Sequence, residues 1–97
     1  MPTYVALVNF TDQGIRNVKQ TTERAKAMSA AAAKLGIKVK DTYWTMGQYD
    51  AVLVADAPND EAITTWALSG GSLGNIRTQT MRAYSAEEMN KIVAKLP

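Results

Sequence analysis

The chain has 97 residues, of which 11 are basic, 9 are acidic and 46% are apolar, and its net charge is +2. About 100 residues is a common size for one domain, so we expect a single globular domain over residues 1–97. The composition excludes disorder, and so small a net charge gives no electrostatic case for binding nucleic acid. The chain contains neither cysteine nor histidine. It therefore lacks disulfides, thiolate catalysis and the commonest general base and metal ligand, and we expect neither metal nor cofactor.

The sequence shows no sign of a membrane segment. No apolar stretch approaches about 18 residues, the length that a membrane-spanning helix requires. Residues 4–10 are apolar, but they lack a preceding charged segment and are too few for the core of a secretion signal. These features predict a cytoplasmic protein without a membrane partner.

The first half of the chain predicts a strand, a helix and a second strand. Residues 4–10 are apolar at nearly every position, which is typical of a strand buried on both faces. From Ile15 to Leu35 the less polar residues recur at helical spacing, with a weak point at Thr21-Thr22 where a kink would divide the helix. Residues 37–45 begin with alternating apolar and charged side chains, as an edge strand does, and a turn follows at residues 46–48.

The second half predicts a strand, a helix, a strand and a final helix. Residues 50–56 form a second continuously apolar strand. Asn59 is the predicted N-cap of a helix that Ser69-Gly70-Gly71 ends. Residues 76–84 predict a strand, and residues 85–88 form a capping box. The final helix carries apolar residues at helical offsets, namely Met89, Ile92, Val93 and Leu96.

This order of elements predicts a ferredoxin-like α+β fold, a βαββαβ unit with one four-stranded antiparallel sheet and a C-terminal helix. The topology places residues 4–10 and 50–56 at the centre of the sheet. These are the two strands that are apolar on both faces, so pattern and topology agree.

The same topology predicts self-association. The two main helices cover one face of the sheet, and the last helix is too short to cover the other, which keeps an apolar row from each central strand. Soluble monomers rarely expose so large an apolar patch. We therefore expect a homodimer whose sheets pack face to face, or a larger oligomer of such dimers.

Four segments of the chain resemble the GYD domain family. Residues 43–50 contain the Gly47, Tyr49 and Asp50 that match the glycine, tyrosine and aspartate of the family name, and residues 57–61, 71–78 and 10–15 match as well. The resemblance implies a ferredoxin-like, dimeric α/β-barrel protein. It implies no reaction, because the family is essentially of unknown function.

Proteins that share the barrel have several different functions. The ligand-sensing domains of leucine-responsive-type transcription regulators carry a similar glycine-x-tyrosine-aspartate turn. Cofactor-free monooxygenases and haem-handling enzymes share only the fold, so their chemistry carries little weight here.

Tyr49 and Asp50 have two interpretations. They would offer a phenol and a carboxylate to a ligand, or they would shape a hairpin turn. In the turn, Gly47 supplies a positive φ, Tyr49 packs across the strands and Asp50 accepts hydrogen bonds from turn amides. We favour the turn.

A second candidate group would line a pocket in the barrel. Asn9 is an amide at the end of an otherwise apolar strand, and Arg77 and Arg82 lie on opposite faces of theirs. A strand arginine on a buried face needs an anionic partner, either Asp41, Asp50 or a ligand carboxylate. Core packing with a structural ion pair is the alternative interpretation. The predicted ligand-binding residues are Asn9, Trp44, Tyr49, Asp50, Trp66, Arg77 and Arg82.

We expect a homo-oligomeric barrel that binds a small molecule. The alternative is a cofactor-free monooxygenase acting on an aromatic or polyketide-like compound, with side-chain donors that stabilise the anion formed. Such an enzyme needs an enclosed cavity of ~300 Å³ or more that Arg or Asn faces. The sequence assigns no catalytic residue.

Overall fold

The computed structural model describes residues 1–97 and contains one four-stranded antiparallel sheet in the order β2-β3-β1-β4. The strands are β1 (Thr3–Phe10), β2 (Lys38–Trp44), β3 (Ala51–Asp56) and β4 (Ile76–Ala83). The helices are α1 (Asp12–Arg16), α2 (Thr21–Lys34), α3 (Asp60–Ser72) and α4 (Ala86–Val93). The predicted ferredoxin-like α+β fold is confirmed, and β1 and β3 are its central strands.

The core lies between the sheet and the helices α2 and α3. On β1 the buried side chains alternate with half-buried ones, and Tyr4, Ala6 and Val8 point toward the helices. Ala32 of α2 and Trp66 of α3 are buried against this face. The alternation follows from the pleat of the strand, which sends successive side chains to opposite sides of the sheet.

The other side of the sheet, here called the open face, is apolar along its central strands. In β1 it carries Val5 and Leu7, whose cross-strand partners in β3 are Val54 and Val52. On β4 the same two residues pair with Met81 and Gln79. Neither α2 nor α3 lies on this side, so the face keeps the unpartnered apolar rows that the topology predicts.

The helical segment after β1 is divided, and the division ends at the predicted weak point. α1 ends at Arg16, a 3₁₀ turn spans Val18–Gln20, and α2 begins at Thr21, so the break covers residues 17–20 and adjoins Thr21-Thr22. The Arg24 side chain donates to the Asn17 carbonyl at 2.8 Å and to the Gly14 carbonyl at 3.3 Å. It thereby satisfies acceptors that a continuous helix would have used.

α3 runs further than predicted. Gly70 and Gly71 lie inside the helix, which ends at Ser72, and Gly74 follows with a φ of +86°. Gly70 is buried, and a Cβ there would lie 2.6 Å from Cε of Met28 on α2. A side chain at position 70 would therefore displace the end of Met28, and Gly74 is the residue that lets the chain turn away.

α4 forms as predicted but does not pack on its own sheet. Ser85 and Glu88 make the reciprocal hydrogen bonds of a capping box. The apolar side chains of the final segment, Met89, Ile92, Val93 and Leu96, are all exposed. The predicted amphipathic helix thus presents its apolar side outward. None of the helices is long and apolar enough to cross a membrane.

Candidate functional site

The Gly47-Tyr49-Asp50 segment is a turn between β2 and β3. Gly47 has a φ of +109°, the left-handed region that favours glycine, which agrees with the predicted turn. The Thr45 hydroxyl donates to the Tyr49 carbonyl at 2.6 Å, and the Thr45 N–H donates to the Asp50 carbonyl at 2.9 Å. These bonds close the turn within its own residues.

Asp50 stabilises the end of the neighbouring central strand. Its Oδ2 accepts the Phe10 N–H at 2.8 Å, and its own N–H donates to the Val8 carbonyl at 2.8 Å. The expectation that this carboxylate accepts from turn amides is corrected, since the amide it takes belongs to β1. Asp50 therefore ties the turn to the last residue of β1.

Replacing Asp50 by asparagine is expected to lower the free energy of unfolding by about 1 kcal/mol. The amide oxygen can still accept the Phe10 N–H, but the bond loses the charge that strengthens it. Urea denaturation of the variant measures the loss. An unchanged stability would contradict this role for Asp50.

Tyr49 reaches across the open face. Its hydroxyl donates to Oε1 of Gln79 on β4 at 3.0 Å. β1 lies between β3 and β4, so the Tyr49 side chain passes over β1 to make this bond. Asn9 and Arg77 are cross-strand partners at the same end of the sheet. This end of the open face is therefore polar, whereas its middle is apolar.

Arg82 lies at the opposite end of the sheet, on the side of the helices. It pairs with Tyr4 across the strands, and its guanidinium lies 4.5 Å from the ring centroid of Tyr84. Its Nη2 is 3.1 Å from Oε2 of Glu88, and its Nη1 donates to the Thr3 carbonyl at 3.2 Å. The anionic partner of Arg82 is therefore Glu88 of α4, and not Asp41, Asp50 or a ligand.

Two ionisable groups near Arg82 have shifted pKa values. The pKa of Glu88 is held below its usual 4.5, first by the Ser85 N–H and then by the Arg82 guanidinium. The pKa of Tyr4 is raised above 10.0, first by its hydrogen bond to Asp60 and then by burial. At neutral pH the Glu88 carboxylate is therefore ionised and accepts hydrogen bonds, and the Tyr4 hydroxyl is neutral and donates one.

Acidification is expected to weaken the anchoring of α4. Because the folded-state pKa of Glu88 lies below 4.5, its stabilising contribution is complete above pH 4.5 and is lost as the pH falls through the folded value. The melting temperatures of wild type and Glu88→Gln, followed against pH, should therefore converge in acid. A difference that stays constant on acidification would contradict the role of the carboxylate.

The two tryptophans line a cavity between the sheet and the helices α2 and α3, here called the helix–sheet cavity. Its volume is about 80 Å³. Trp66 is 4% exposed and donates from Nε1 to the Met28 carbonyl at 2.9 Å. Trp44 is 44% exposed and donates from Nε1 to the Thr21 hydroxyl at 2.9 Å. Trp66 therefore forms a buried wall of the cavity, and Trp44 forms a wall at its exposed margin.

Arg24 also lines the helix–sheet cavity, although the sequence pattern does not distinguish it as a candidate site residue. It is the only charged residue in the lining, and it also lines a second cavity of about 150 Å³ between α2 and α3. In the sequence it is one of several charged residues off the apolar stripe of the predicted helix. Only the packing of α2 against the sheet distinguishes it from the others.

The predicted ligand-binding residues fall in four places. Tyr49 and Asp50 lie in the turn between β2 and β3. Trp44 and Trp66 meet at the helix–sheet cavity, whereas Asn9 and Arg77 lie on the open face. Arg82 is at the far end of the sheet. The seven residues do not line one pocket, and their role in ligand binding stays a prediction.

The loops that flank the sheet at the Phe10 end are joined by several hydrogen bonds. The Thr11 N–H donates to the Asn75 carbonyl at 3.1 Å, and the Thr11 hydroxyl donates to the Gly74 carbonyl at 2.5 Å. Gln13 Nε2 donates to the Leu73 carbonyl at 3.2 Å and to Asn75 Oδ1 at 3.0 Å. Two of the segments that resemble the GYD family therefore form one structural unit.

The sheet, its open face and the Gly47-Tyr49-Asp50 turn define a ferredoxin-like domain of the GYD type. The family model described as GYD domain matches residues 4–93. The chain belongs to the GYD domain family.

A protein of Thermus thermophilus, named glutamine synthetase and cystathionine beta-lyase binding protein, is 28% identical over 90 residues. The match covers 92% of this chain and 95% of that protein. The crystal structure of TTHA0845, from the same organism, is 26% identical with a TM-score of 0.57, and the match covers 89% of this chain and 96% of that one.

A more distant likeness shows the fold alone. The crystal structure of MtbAldR is 12% identical to this chain, with a TM-score of 0.66 over 87% of it. The match spans 53% of MtbAldR, so this chain corresponds to about half of that protein.

Proposed function

We propose that the protein is a homodimeric binding protein that holds a small molecule. The observation that carries the proposal is the open face, where Val5, Leu7, Val52 and Val54 form adjacent apolar rows without a covering helix. A second copy that buries ~800 Å² of each protomer would remove these rows from water. Burial of apolar area favours association by roughly 25 cal/mol per Å², from which the entropy of association and the ordering of interface side chains are subtracted.

Two open faces brought together would form the α/β barrel that the resemblance to the GYD family implies. The middle of each face is apolar, and its Asn9 and Arg77 end is polar. In a symmetric pair the apolar rows would form the centre of the interface, with polar groups toward its edge. This is the usual composition of an interface that persists in solution.

The helix–sheet cavity is smaller than the monooxygenase alternative requires. Its volume of about 80 Å³ is well below the ~300 Å³ expected of a substrate pocket. Arg24 lies in the lining, but Asn9, Arg77 and Arg82, the residues that the oxygenase hypothesis invokes, do not. Because the cavity is too small for an aromatic or polyketide-like substrate, we do not propose a reaction.

A protein partner is a second candidate function, suggested by the relative named for binding two enzymes. The observation that favours it is the exposed apolar side of α4, formed by Met89, Ile92 and Val93. An exposed amphipathic helix is a common means of docking into a groove of another protein. The partner proposed for α4 is an enzyme of the kind that the relative's name states.

Native mass spectrometry tests the first proposal directly. Protein purified without denaturation should appear at twice the chain mass of 10.5 kDa, with an added small-molecule mass on part of the population. A monomer without any added mass would contradict the proposal. The cytoplasmic location stays a prediction, and fractionation of the source cells tests it.

Surface plasmon resonance tests the second proposal, that α4 binds an enzyme. Purified glutamine synthetase and cystathionine β-lyase are passed over the wild type and over Ile92→Glu, which breaks the apolar side of α4. Binding that the substitution abolishes supports the second proposal. Failure of the wild type to bind either enzyme contradicts it.

A further inference from the structure

We infer that the helix–sheet cavity is a site for a small monocarboxylate, with the apolar tail beneath Trp44 and Trp66 and the carboxylate on Arg24. The inference rests on the proposed binding of a small molecule, and it specifies the site and the chemical class of the ligand. Four features of the cavity lead to it, namely its small floor residues, its size, the state of Arg24 and the position of Trp44.

The cavity is built from side chains too small to fill it. Its floor includes Ala6 and Ala51, which are buried cross-strand neighbours of Leu53 and Val8, and Ala67 contributes from α3. Protein interiors are normally packed without voids, so space kept open by alanines between two tryptophans is unusual in so small a core. The walls are apolar, which suits a hydrocarbon group and not a polar one.

The volume limits the tail. An apolar cavity of ~150 Å³ holds one benzene molecule, so about 80 Å³ admits a tail of roughly three or four carbons. A branched alkyl group of that size fits the space better than a longer chain or a fused ring.

Arg24 is the residue that would supply the charge. It is half-buried, and it is the only charged residue in the lining of either cavity. Its guanidinium donates to the carbonyls of Asn17 and Gly14 and has no ion pair with any carboxylate of the chain. A guanidinium has five N–H donors, so several remain for an anion, and a carboxylate matches their geometry.

Trp44 provides an entry. It lies at the end of the edge strand β2, and the single hydrogen bond of its side chain joins it to Thr21 at the start of α2. Rotation of this indole would open the cavity without disturbing the buried Trp66. Trp44, at the exposed margin of the cavity, is therefore the lining side chain that we expect to move when a ligand enters.

The indole N–H signals of the protein test the site. The chain has two tryptophans, and both line the helix–sheet cavity. Titration with 3-methylbutanoate, followed by ¹H–¹⁵N NMR, should shift both indole signals with saturation. The neutral 3-methylbutanamide should bind about tenfold more weakly, because it lacks the charge that pairs with Arg24.

Three variants locate the ligand. Ala67→Leu fills the cavity from α3 and should weaken 3-methylbutanoate binding by about tenfold or more. Thr64→Leu adds the same side chain at an exposed position of α3 and should leave the affinity unchanged. Arg24→Gln should remove the preference for the carboxylate over the amide, whereas Arg24→Lys should keep part of it, with circular dichroism reporting the fold of each.

The outcomes separate this inference from the proposed function. Binding that leaves the indole signals unmoved, or that Ala67→Leu does not weaken, overturns the site but leaves small-molecule binding in place. If a folded Arg24→Gln variant prefers the carboxylate over the amide as strongly as the wild type does, the role of the arginine is overturned. Failure of 3-methylbutanoate to saturate any signal overturns the inference, while the bound mass seen by native mass spectrometry decides the proposed function separately.

Discussion

Replacing Leu7 by lysine is expected to convert the proposed dimer into a monomer. Leu7 lies in the middle of the open face, between Val52 on β3 and Gln79 on β4. An ammonium group placed there would be buried against its symmetry mate in the dimer but would reach solvent in the monomer. We expect the dissociation constant to rise by about 100-fold or more, since truncation or charging of a central contact costs about 3 kcal/mol. Sedimentation velocity measures the change.

A lysine at Ala30 is the matched control. Ala30 is exposed on α2, which lies on the opposite side of the sheet. The substitution adds the same charge without touching the open face, so Ala30→Lys should sediment as the wild type does. A Leu7→Lys protein that remains folded and dimeric would contradict the proposed interface.

Replacing Gly14 by alanine is expected to lower the free energy of unfolding by about 3 kcal/mol or more. A Cβ at Gly14 would lie 1.9 Å from the Asn75 carbonyl oxygen, which is backbone and already accepts the Thr11 N–H. Relief of that overlap must separate the two loops, which breaks the hydrogen bonds between them. Equilibrium unfolding in urea measures the loss.

Gly71→Ala is the control for this prediction. Gly71 lies inside α3, and the nearest atom to its Cβ would be the Ile76 carbonyl oxygen at 3.8 Å, an ordinary contact. Alanine is preferred to glycine within a helix by about 1 kcal/mol, so this variant should be unchanged or more stable. Equal destabilisation of the two variants would show that the contact with Asn75 is not the cause.

The sequence pattern was sufficient for the strands because burial on both faces leaves a continuous apolar run. β1 and β3 carry such runs and occupy the centre of the sheet. The capping box at Ser85 and Glu88 was equally predictable, because its two hydrogen bonds join residues three apart. Local chemistry therefore accounts for most of the secondary structure.

Features that depend on distant residues were missed. The sequence predicts a helix end at Gly70, yet the glycine lies within α3, where it is next to Met28 of α2. Glu88 is 6 residues from Arg82 and was not considered as its partner, since the direction in which α4 leaves the sheet decides that contact. The placement of Arg24 at the helix–sheet cavity likewise arises only when α2 docks on the sheet.

The candidate site was predicted in part for the same reason. The residue types were selected by chemistry, and Trp44 and Trp66 do line one cavity. Parity along β4 correctly placed Arg77 and Arg82 on opposite faces. The alternation of side chains along a strand predicts which face of the sheet a residue lies on. It does not predict that Arg77 and Arg82 lie at opposite ends of the sheet.

Sedimentation equilibrium of the wild-type protein at micromolar concentration tests most directly whether a second copy covers the open face. We expect a single species at twice the chain mass of 10.5 kDa, or a multiple of that dimer. A stable species at 10.5 kDa that stays in solution would contradict it.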